Sequence, residues 1–255
     1  MAIKEFCYLI YTKARLNVKA ENSLNKLSYA WLLIEPLLFM GVYYIVFGIL
    51  LHSKTDNFVI YLLTGLVPWL WFNKSINRSS MSIVAGKPIS SQVPISKSFF
   101  VLVSCTQEFI RQTIAIAMLL ITVVGFGYLP NKSWLWLPIV ILLQFIFTIG
   151  CSLLLAFIVT YIRDVHLMLS SCTRILMYVS GIIYPISKVP ETYQWVFDIN
   201  PIANMIILYR QILIEQVSPS TYSLIYLLIS AVSLIALSIA LYISKDQSMT
   251  REVMR

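Results

Sequence analysis

Six long apolar runs constrain the fold of this chain more than any other feature of its sequence. They cover residues 29–51, 58–77, 99–124, 134–160, 165–186 and 221–243. A helix needs ~20 mainly apolar residues to cross the hydrocarbon core of a bilayer, and each run has about that length. A lipid-exposed segment must also satisfy its backbone hydrogen bonds internally. The runs therefore predict an all-α polytopic membrane protein with six transmembrane helices, formed by a single domain over residues 1–255.

The composition and the placement of charge fit this interpretation. Hydrophobic residues make up 59% of the chain and charged residues 12%, whereas soluble domains carry about 25% charged residues. Lys and Arg are concentrated in residues 1–28, 73–98, 161–174 and 244–255. Cytoplasmic segments of membrane proteins are enriched in these residues, so we expect both termini in the cytoplasm. The net charge of +8 comes mainly from these segments and does not indicate nucleic acid as a partner.

Two segments outside the runs are expected on the cytoplasmic side. Residues 1–26 carry apolar side chains at the spacing of one helical face, namely Ile3, Phe6, Cys7 and Ile10. This spacing predicts an amphipathic helix at the membrane interface. Residues 83–98 are rich in Pro, Ser and Lys and are too polar for the membrane. We interpret them as a cytoplasmic segment that couples the membrane domain to a partner.

A seventh apolar run, Ile202–Ile214, is too short to cross a bilayer and too apolar to lie in water. It follows the proline-broken segment Tyr184–Pro190 and precedes the last long run. A full crossing here would move the basic C-terminal tail to the outer side, against the charge distribution. We therefore predict a re-entrant periplasmic hairpin over residues 187–218, with helices at about Pro190–Phe197 and Pro201–Gln216.

Charged residues inside the long runs are costly in a bilayer and usually face a bundle interior or an aqueous path. Glu35 lies in the first run and Arg174 in the fifth. Glu108 and Arg111 are about one helical turn apart in the third run, where they either neutralise each other or form a polar wall of a conduit. A proton-coupled carrier needs an unpaired carboxylate in the membrane, and Glu35 is the only candidate.

Aromatic side chains cluster in and around the first run. A flat ring with a polar edge can contact the C–H face of a sugar, although core packing and contact with lipid are equally open interpretations. Together with the charges above, these aromatics form the predicted substrate pathway: Tyr29, Trp31, Glu35, Tyr43, Tyr44, Glu108 and Arg111.

No pattern in the sequence indicates catalysis. It contains no catalytic-serine, zinc-protease or paired-cysteine motif, and His52 and His166 each stand alone. Gly86-Lys87-Pro88 lacks the earlier glycine and the following Ser or Thr of a phosphate-binding loop. We therefore expect a protein that is not an enzyme and has no metal or cofactor of its own. If an ATPase drives transport, ATP and Mg²⁺ are bound by another subunit.

Several short motifs resemble, in order and spacing, those of one family of membrane proteins. They are Leu27-Ser28-Tyr29-Ala30-Trp31 with Glu35-Pro36-Leu37, Leu63-Thr64-Gly65-Leu66-Val67-Pro68-Trp69 with Phe72, Arg163-Asp164-Val165, Ile183-Tyr184-Pro185, Val189-Pro190, Asn200-Pro201 and Tyr209-Arg210. Over essentially its whole length the chain resembles the permease subunit of ABC-2 type polysaccharide exporters. Two departures are Gly181, where many members have Pro, and the segment Val93–Lys97, which lacks an Arg that often follows its Pro.

The resemblance implies an ATP-driven exporter of a lipid-linked polysaccharide, with O-antigen the first expectation and capsule or teichoic acid the next. It implies a bacterial cytoplasmic-membrane permease that works with a second copy of itself and an ATP-binding subunit. The implied gate residues are Pro185, Pro190, Trp195, Asn200, Pro201, Tyr209 and Arg210, of which Arg210 is expected to face the exit path or the second copy. The residues expected to couple to the ATPase are Ile89, Ser91, Pro94, Lys97, Arg163 and Asp164.

Three other functions are weighed against this expectation. An ABC-2 exporter of a drug or a small lipid is disfavoured by the motifs and by the lack of a sequence segment for a large extracellular domain. A membrane glycosyl- or phospho-transferase needs acidic metal-binding clusters, and the 11 acidic residues form none in the sequence. A secondary carrier usually has internal repeats, which the sequence lacks.

Overall fold

Every regular element in the described part of the chain is helical. The computed structural model describes residues 3–24, 28–43, 45, 58–93 and 95–254. Its α-helices are α1 (Ile3–Leu24), α2 (Ser28–Tyr43), α3 (Phe58–Ser80), α4 (Ser82–Ala85), α5 (Lys87–Ser90), α6 (Ser98–Gly125), α7 (Leu137–Tyr161), α8 (Asp164–Val179), α9 (Glu191–Ile199), α10 (Pro201–Leu213) and α11 (Thr221–Met254). Short 3₁₀ helices at Lys132–Trp136 and Ile186–Lys188 precede α7 and α9. The all-α prediction is confirmed for these residues.

Among the described residues, three helices are long and apolar enough to cross a bilayer: Ser98–Gly125, Lys132–Tyr161 and Thr221–Glu252. They correspond to the third, fourth and sixth of the predicted runs. The last of them extends past its run as one unbroken helix to Met254. The first run, residues 29–51, is described only to Tyr43 and at Ile45. The six-crossing arrangement therefore stays a prediction.

The helix predicted over residues 165–186 ends earlier than expected, and this boundary was wrong. α8 ends at Val179, and Gly181 then adopts a φ of +65°. A left-handed residue ends a helix, and glycine takes this conformation without the strain that a Cβ causes. At 1.5 Å per residue, the 16 residues of α8 extend about 24 Å, less than the roughly 30 Å of a hydrocarbon core. The chain therefore leaves the helix early and turns towards α9.

α3 is the central helix of the bundle and packs against α6, α7, α8 and α10. Its Trp69 is almost fully buried, and Pro68 lies inside the continuous helix. Two glutamines bind the backbone at this point. Gln112 Nε2 donates to Val67 O (3.1 Å), and Gln144 Nε2 donates to Pro68 O (2.9 Å). Because buried polar side chains are tolerated when they are hydrogen-bonded, these contacts hold α6 and α7 against α3.

α1 is an amphipathic helix, but its buried face differs in part from the predicted one. Ile10, Ala14 and Val18 are buried and follow one another at four-residue steps. Ile10 and Ala14 pack in one cluster with Phe99 of α6. Cys7, which was expected on this face, is exposed. α1 therefore docks against the bundle along a face that extends toward its C-terminal half, and its place at a membrane interface stays a prediction.

α9 and α10 form the helix pair predicted before the last run, with slightly shifted bounds. Asn200 caps α10, because its Oδ1 accepts a hydrogen bond from Ile202 N at 3.0 Å. Asn204 Nδ2 donates to the carbonyl of Asp198 at 2.9 Å and so ties the two helices together. Most of α10 is buried, whereas the buried residue of α9 is Phe197. α10 is thus part of the core and α9 lies at its periphery, while re-entry into a membrane stays a prediction.

Candidate functional site

A cleft lined by both polar and apolar residues lies between α2, α3 and α8. It has a volume of about 360 Å³, and its polar lining residues are Asn73, Lys74, Asn77, Ser170, Thr173 and Arg174. Ser80 Oγ and His166 Nδ1 are 2.9 Å apart and mark where the end of α3 meets the start of α8. Since the two helices run in opposite directions from this contact, the polar residues face each other about two helical turns into the bundle.

Glu35, a predicted pathway residue, is paired beside this cleft. Its carboxylate accepts a hydrogen bond from Lys74 Nζ across the contact between α2 and α3. On α3 itself, Asn77 Nδ2 donates to Asn73 Oδ1 at 2.7 Å. Because Lys74 neutralises Glu35, this carboxylate is not the unpaired group that a proton-coupled carrier requires. The geometry therefore disfavours that class of transporter.

Glu108 and Arg111 belong to a partly buried ion cluster with Glu21 of α1 and Arg78 of α3, here called the four-charge cluster. Glu21 accepts hydrogen bonds from both arginines. Arg78 Nη1 lies 2.7 Å from Glu108 Oε1, and Arg111 Nη1 lies 3.7 Å from the same oxygen. Two positive and two negative groups are in contact, which favours mutual neutralisation over an open polar wall. The cluster joins α1, α3 and α6 at one point.

Glu21 is the hub of the four-charge cluster. Its Oε1 also accepts a hydrogen bond from Gln107 Nε2 at 2.8 Å. Partial burial acts to raise the pKa of Glu21, but the Gln107 hydrogen bond and the charges of Arg78 and Arg111 together outweigh it and lower the pKa. The ionised carboxylate therefore stabilises the fold fully above the ordinary carboxyl pKa. This contribution is lost as the pH falls through the lowered value.

The predicted coupling segment contains the short helices α4 and α5, which lie beside the four-charge cluster. A second cleft, of about 310 Å³, lies between α1, these helices and α6, and Glu21 and Arg78 are among its lining residues. Gly86 lies at the junction of α4 and α5, where an added Cβ would be 2.6 Å from the Phe100 ring. The missing side chain lets the segment pack closely on α6. A displacement of the segment would therefore reach the cluster through α6.

The predicted coupling residues differ in their surroundings. Four of them are exposed: Ile89, Ser91, Arg163 and Asp164. Lys97 Nζ forms an ion pair with Asp246 Oδ1 of α11 at 3.0 Å. Pro94 lies outside the described residues. The exposed four are available to a partner, whereas Lys97 already has a partner within the chain.

The expected outward position of Arg210 was wrong, because its guanidinium lies inside the fold. The residue is 5% exposed. Nη1 donates to Gly181 O and Nη2 donates to Ile182 O, both at 2.9 Å. The guanidinium carbon lies 3.5 Å from the centroid of the Tyr61 ring. These partners offset the desolvation of the charge, so Arg210 fastens α10 to α3 and to the turn after α8.

The remaining gate residues divide between the core and the surface. Tyr209 is buried, and its hydroxyl donates to Gln144 Oε1 at 2.7 Å. Trp195 of α9 is 58% exposed. The others lie at the ends of the hairpin elements: Pro185, Pro190, Asn200 and Pro201. Their role as a gate stays a prediction.

The predicted aromatic pathway is described only in part. Trp31 of α2 is 56% exposed on the bundle surface. Tyr44 and the side chains of Tyr29 and Tyr43 lie outside the described residues. An exposed tryptophan on α2 is available to lipid or to another subunit, and its assignment to a pathway stays a prediction.

Residues whose partners lie on other helices cannot be identified from the spacing of the sequence. Glu21 and Arg78 are 57 positions apart, so no helical spacing connects them. The residues of the cleft could have been predicted from the sequence, because Asn73 and Asn77 lie four positions apart and share one face of α3. Polar pairs at this spacing beside an apolar run indicate a polar face turned away from lipid.

The three long apolar helices indicate an integral membrane protein, and the cleft between α2, α3 and α8 opens at the surface of its bundle. Residues 17–214 match the family model described as ABC-2 type transporter, and the chain belongs to this family.

Several curated relatives resemble the chain along most of its length. The O-antigen export system permease protein RfbA of Klebsiella pneumoniae is 28% identical over 233 residues, which cover 91% of this chain and 89% of the relative. A protein of the same name from Myxococcus xanthus is 22% identical over 231 residues, covering 90% and 88%. The polysialic acid transport protein KpsM of Escherichia coli is 23% identical over 227 residues, covering 88% of each. The similarity is therefore not confined to one motif.

Proposed function

We propose that the chain is the permease subunit of an ATP-driven exporter of a lipid-linked polysaccharide, with O-antigen ahead of capsule and teichoic acid. The observation that carries this proposal is the similarity, over about nine tenths of the chain, to proteins named for O-antigen export and polysialic acid transport. The cleft between α2, α3 and α8 supports it, because polar and apolar lining residues side by side suit a polymer that is joined to a lipid. A drug or small-lipid exporter has less support, since the relatives described above are named for polysaccharides.

The proposed arrangement is a single transport domain over residues 1–255 in the bacterial cytoplasmic membrane. Six crossings combine the three long helices with the runs at residues 29–51, 58–77 and 165–186, and α8 spans the last of these only together with the turn that follows it. Both termini lie in the cytoplasm. The basic segments support this orientation. The α9–α10 hairpin enters from the periplasmic side and returns. Arg210 supports this placement, because a cation bound by carbonyl groups is tolerated at membrane depth.

A second copy of the chain and an ATP-binding subunit complete the exporter. The cleft between α2, α3 and α8 lies at the bundle surface, so a second copy placed over it would enclose a conduit. The chain itself binds neither nucleotide nor metal, and the ATP-binding subunit holds ATP and Mg²⁺. That subunit docks on α4 and α5, where Ile89 and Ser91 are exposed. Arg163 and Asp164 at the start of α8 complete the docking surface.

Deleting the chain from its source cell tests the proposed function. We expect surface polysaccharide to disappear and lipid-linked polymer to accumulate inside, because synthesis continues without export. Extracted surface and intracellular polymer are compared by gel electrophoresis, and the wild-type gene restores both. Unchanged surface polymer together with increased drug sensitivity would instead favour the drug-export alternative.

A cysteine at position 91 is expected to crosslink to the ATP-binding subunit. Ser91→Cys is introduced into a chain in which the exposed Cys7 and Cys172 are replaced by serine, while the less accessible cysteines are kept. Ser91 is exposed beside α5, so a short bifunctional reagent reaches both proteins. The product is detected as a shifted band that contains both subunits.

The matched control for this crosslink is Leu129→Cys, on the connection before α7, where Leu129 is 67% exposed. We expect this cysteine to react with an impermeant thiol reagent from the periplasm and to form no crosslink. If the cysteine at position 91 reacts from the periplasm instead, the proposed orientation is inverted.

A further inference from the structure

No described hydrogen bond or ion pair within the chain accounts for the positive charge of Arg174. Arg174 lies on α8, about 15 Å along the helix from its first residue, Asp164, at the usual rise of 1.5 Å per residue. Its side chain is exposed and lines the cleft between α2, α3 and α8. Within the part of the chain that the structure describes, it has no hydrogen-bond or ion-pair partner. A cation at this depth usually serves an aqueous path or a ligand.

The other polar residues of the cleft favour an anionic ligand. Lys74 lines the cleft opposite Arg174, and Glu35 neutralises only one of these two cations. The cleft therefore carries one surplus positive charge among the described groups. Asn73 and Asn77 add amide groups on the α3 wall. Two cations with neighbouring amides suit the oxygen atoms of a phosphate group better than an uncharged sugar.

The apolar lining of the same cleft indicates that the ligand also has a hydrocarbon part. Leu66, Leu70 and Met177 lie deeper in the bundle than the polar residues, towards the middle of α3 and the end of α8. A free phosphate or a hydrophilic polymer would leave this wall without a partner. A lipid with a phosphate head group matches both walls at once.

We propose that Arg174 and Lys74 form a binding site for the phosphate head group of the lipid that carries the transported polymer. The proposal rests on the export function above and adds the group by which the substrate is held. Arg174 supplies a positive charge that has no partner among the described residues. Lys74 supplies a second hydrogen-bond donor, and its ion pair with Glu35 fixes its position. The lipid tail lies along the apolar wall, and the attached polymer extends into the conduit.

Binding of farnesyl diphosphate to the purified full-length chain in an uncharged detergent tests the site. The dissociation constant is measured by isothermal titration calorimetry. We expect Arg174→Gln to weaken binding at least about tenfold, because a charge-assisted contact is lost. Arg174→Lys keeps the charge and should recover most of the affinity. Lys245→Gln, on the exposed C-terminal part of α11, removes one cation elsewhere and should leave binding unchanged.

Other probes identify which part of the ligand is recognised. Farnesol and inorganic pyrophosphate should each bind at least about tenfold more weakly than farnesyl diphosphate, since each contacts only one wall. Equal binding by pyrophosphate would overturn the amphiphilic site. Equal binding of phosphatidylglycerol, with the same loss in Arg174→Gln, would overturn its assignment to the carrier lipid. Unchanged farnesyl diphosphate binding in Arg174→Gln would overturn the site itself.

The binding measurement is independent of the export assay, so the two proposals fail in different ways. If the binding site is refuted, the loss of surface polymer in the deletion strain still supports the export function. If the deletion strain keeps its surface polymer, the measured dissociation constants are still valid. Arg174 makes no described hydrogen bond or ion pair that Arg174→Gln could break, so the unfolding temperature of this variant should match that of the wild type. This match separates loss of binding from loss of fold.

Discussion

Arg210→Ala is expected to detach α10 from the bundle and to abolish export. The substitution removes two hydrogen bonds from a charged donor and leaves the carbonyls of Gly181 and Ile182 without these partners. It also removes the contact with the Tyr61 ring. Hydrogen bonds of this kind contribute about 1.5–3 kcal/mol each, so we expect a loss of at least about 3 kcal/mol in the free energy of unfolding. The measurement is unfolding of the purified chain in a denaturant series, with surface polymer measured in parallel.

Two matched variants separate the parts of this contact. Arg210→Lys keeps the charge but lacks the planar fork that reaches two carbonyls, so it should recover only part of the stability. Tyr61→Phe keeps the ring and removes only the hydroxyl that donates to Tyr184 O at 3.1 Å, so it should stay close to the wild type. Wild-type unfolding of Arg210→Ala would show that α10 stays in place without the contacts of Arg210.

Glu21→Lys is expected to uncouple ATP hydrolysis from export. It places a third cation beside Arg78 and Arg111, with only Glu108 left to neutralise them. The repulsion should separate α1 from α3 and α6. The predicted coupling segment meets the bundle where these three helices join. We expect export to fall at least about tenfold while the complex with the ATP-binding subunit still assembles and hydrolyses ATP. Surface polymer, co-purification and ATPase rate are measured together.

A charge exchange tests whether the four-charge cluster acts through the pairing of its members. Glu21→Arg combined with Arg111→Glu restores one positive and one negative group at the same contact, and export should exceed that of either single variant. Glu21→Gln keeps the shape and removes the charge, so its effect should be smaller than that of Glu21→Lys. A double variant no better than the single ones would show that the cluster has no role in coupling.

The sequence predicts the helices of this fold better than their ends and partners. Apolar runs locate α6, α7 and α11 because burial in lipid requires a continuous stretch, whatever the neighbouring helices are. The end of α8 depends on the left-handed conformation of Gly181, which no hydrophobic pattern reports. The short run that contains Arg210 is correctly predicted as a separate helix.

The sites are harder to predict because their partners are brought together by the tertiary fold. Glu108 and Arg111 are visible as a pair through their helical spacing, but Glu21 and Arg78 reach them from other helices. Arg210 was expected to face the exit path or the second copy because a cation has no obvious place in lipid. Its partners are backbone carbonyls and the face of a ring. Such contacts cannot be predicted from the types of the neighbouring residues.

The side-chain hydrogen-bond partners of Tyr209 and Arg210 all precede α10 in the chain. Tyr61, Gln144, Gly181 and Ile182 are synthesised before Tyr209 and Arg210. During biogenesis the receptor for this arginine can therefore assemble before the arginine leaves the ribosome. The guanidinium can then reach its carbonyl partners without a stage in hydrocarbon. The order of segments along the chain thus allows earlier helices to prepare the place of this arginine before it is made.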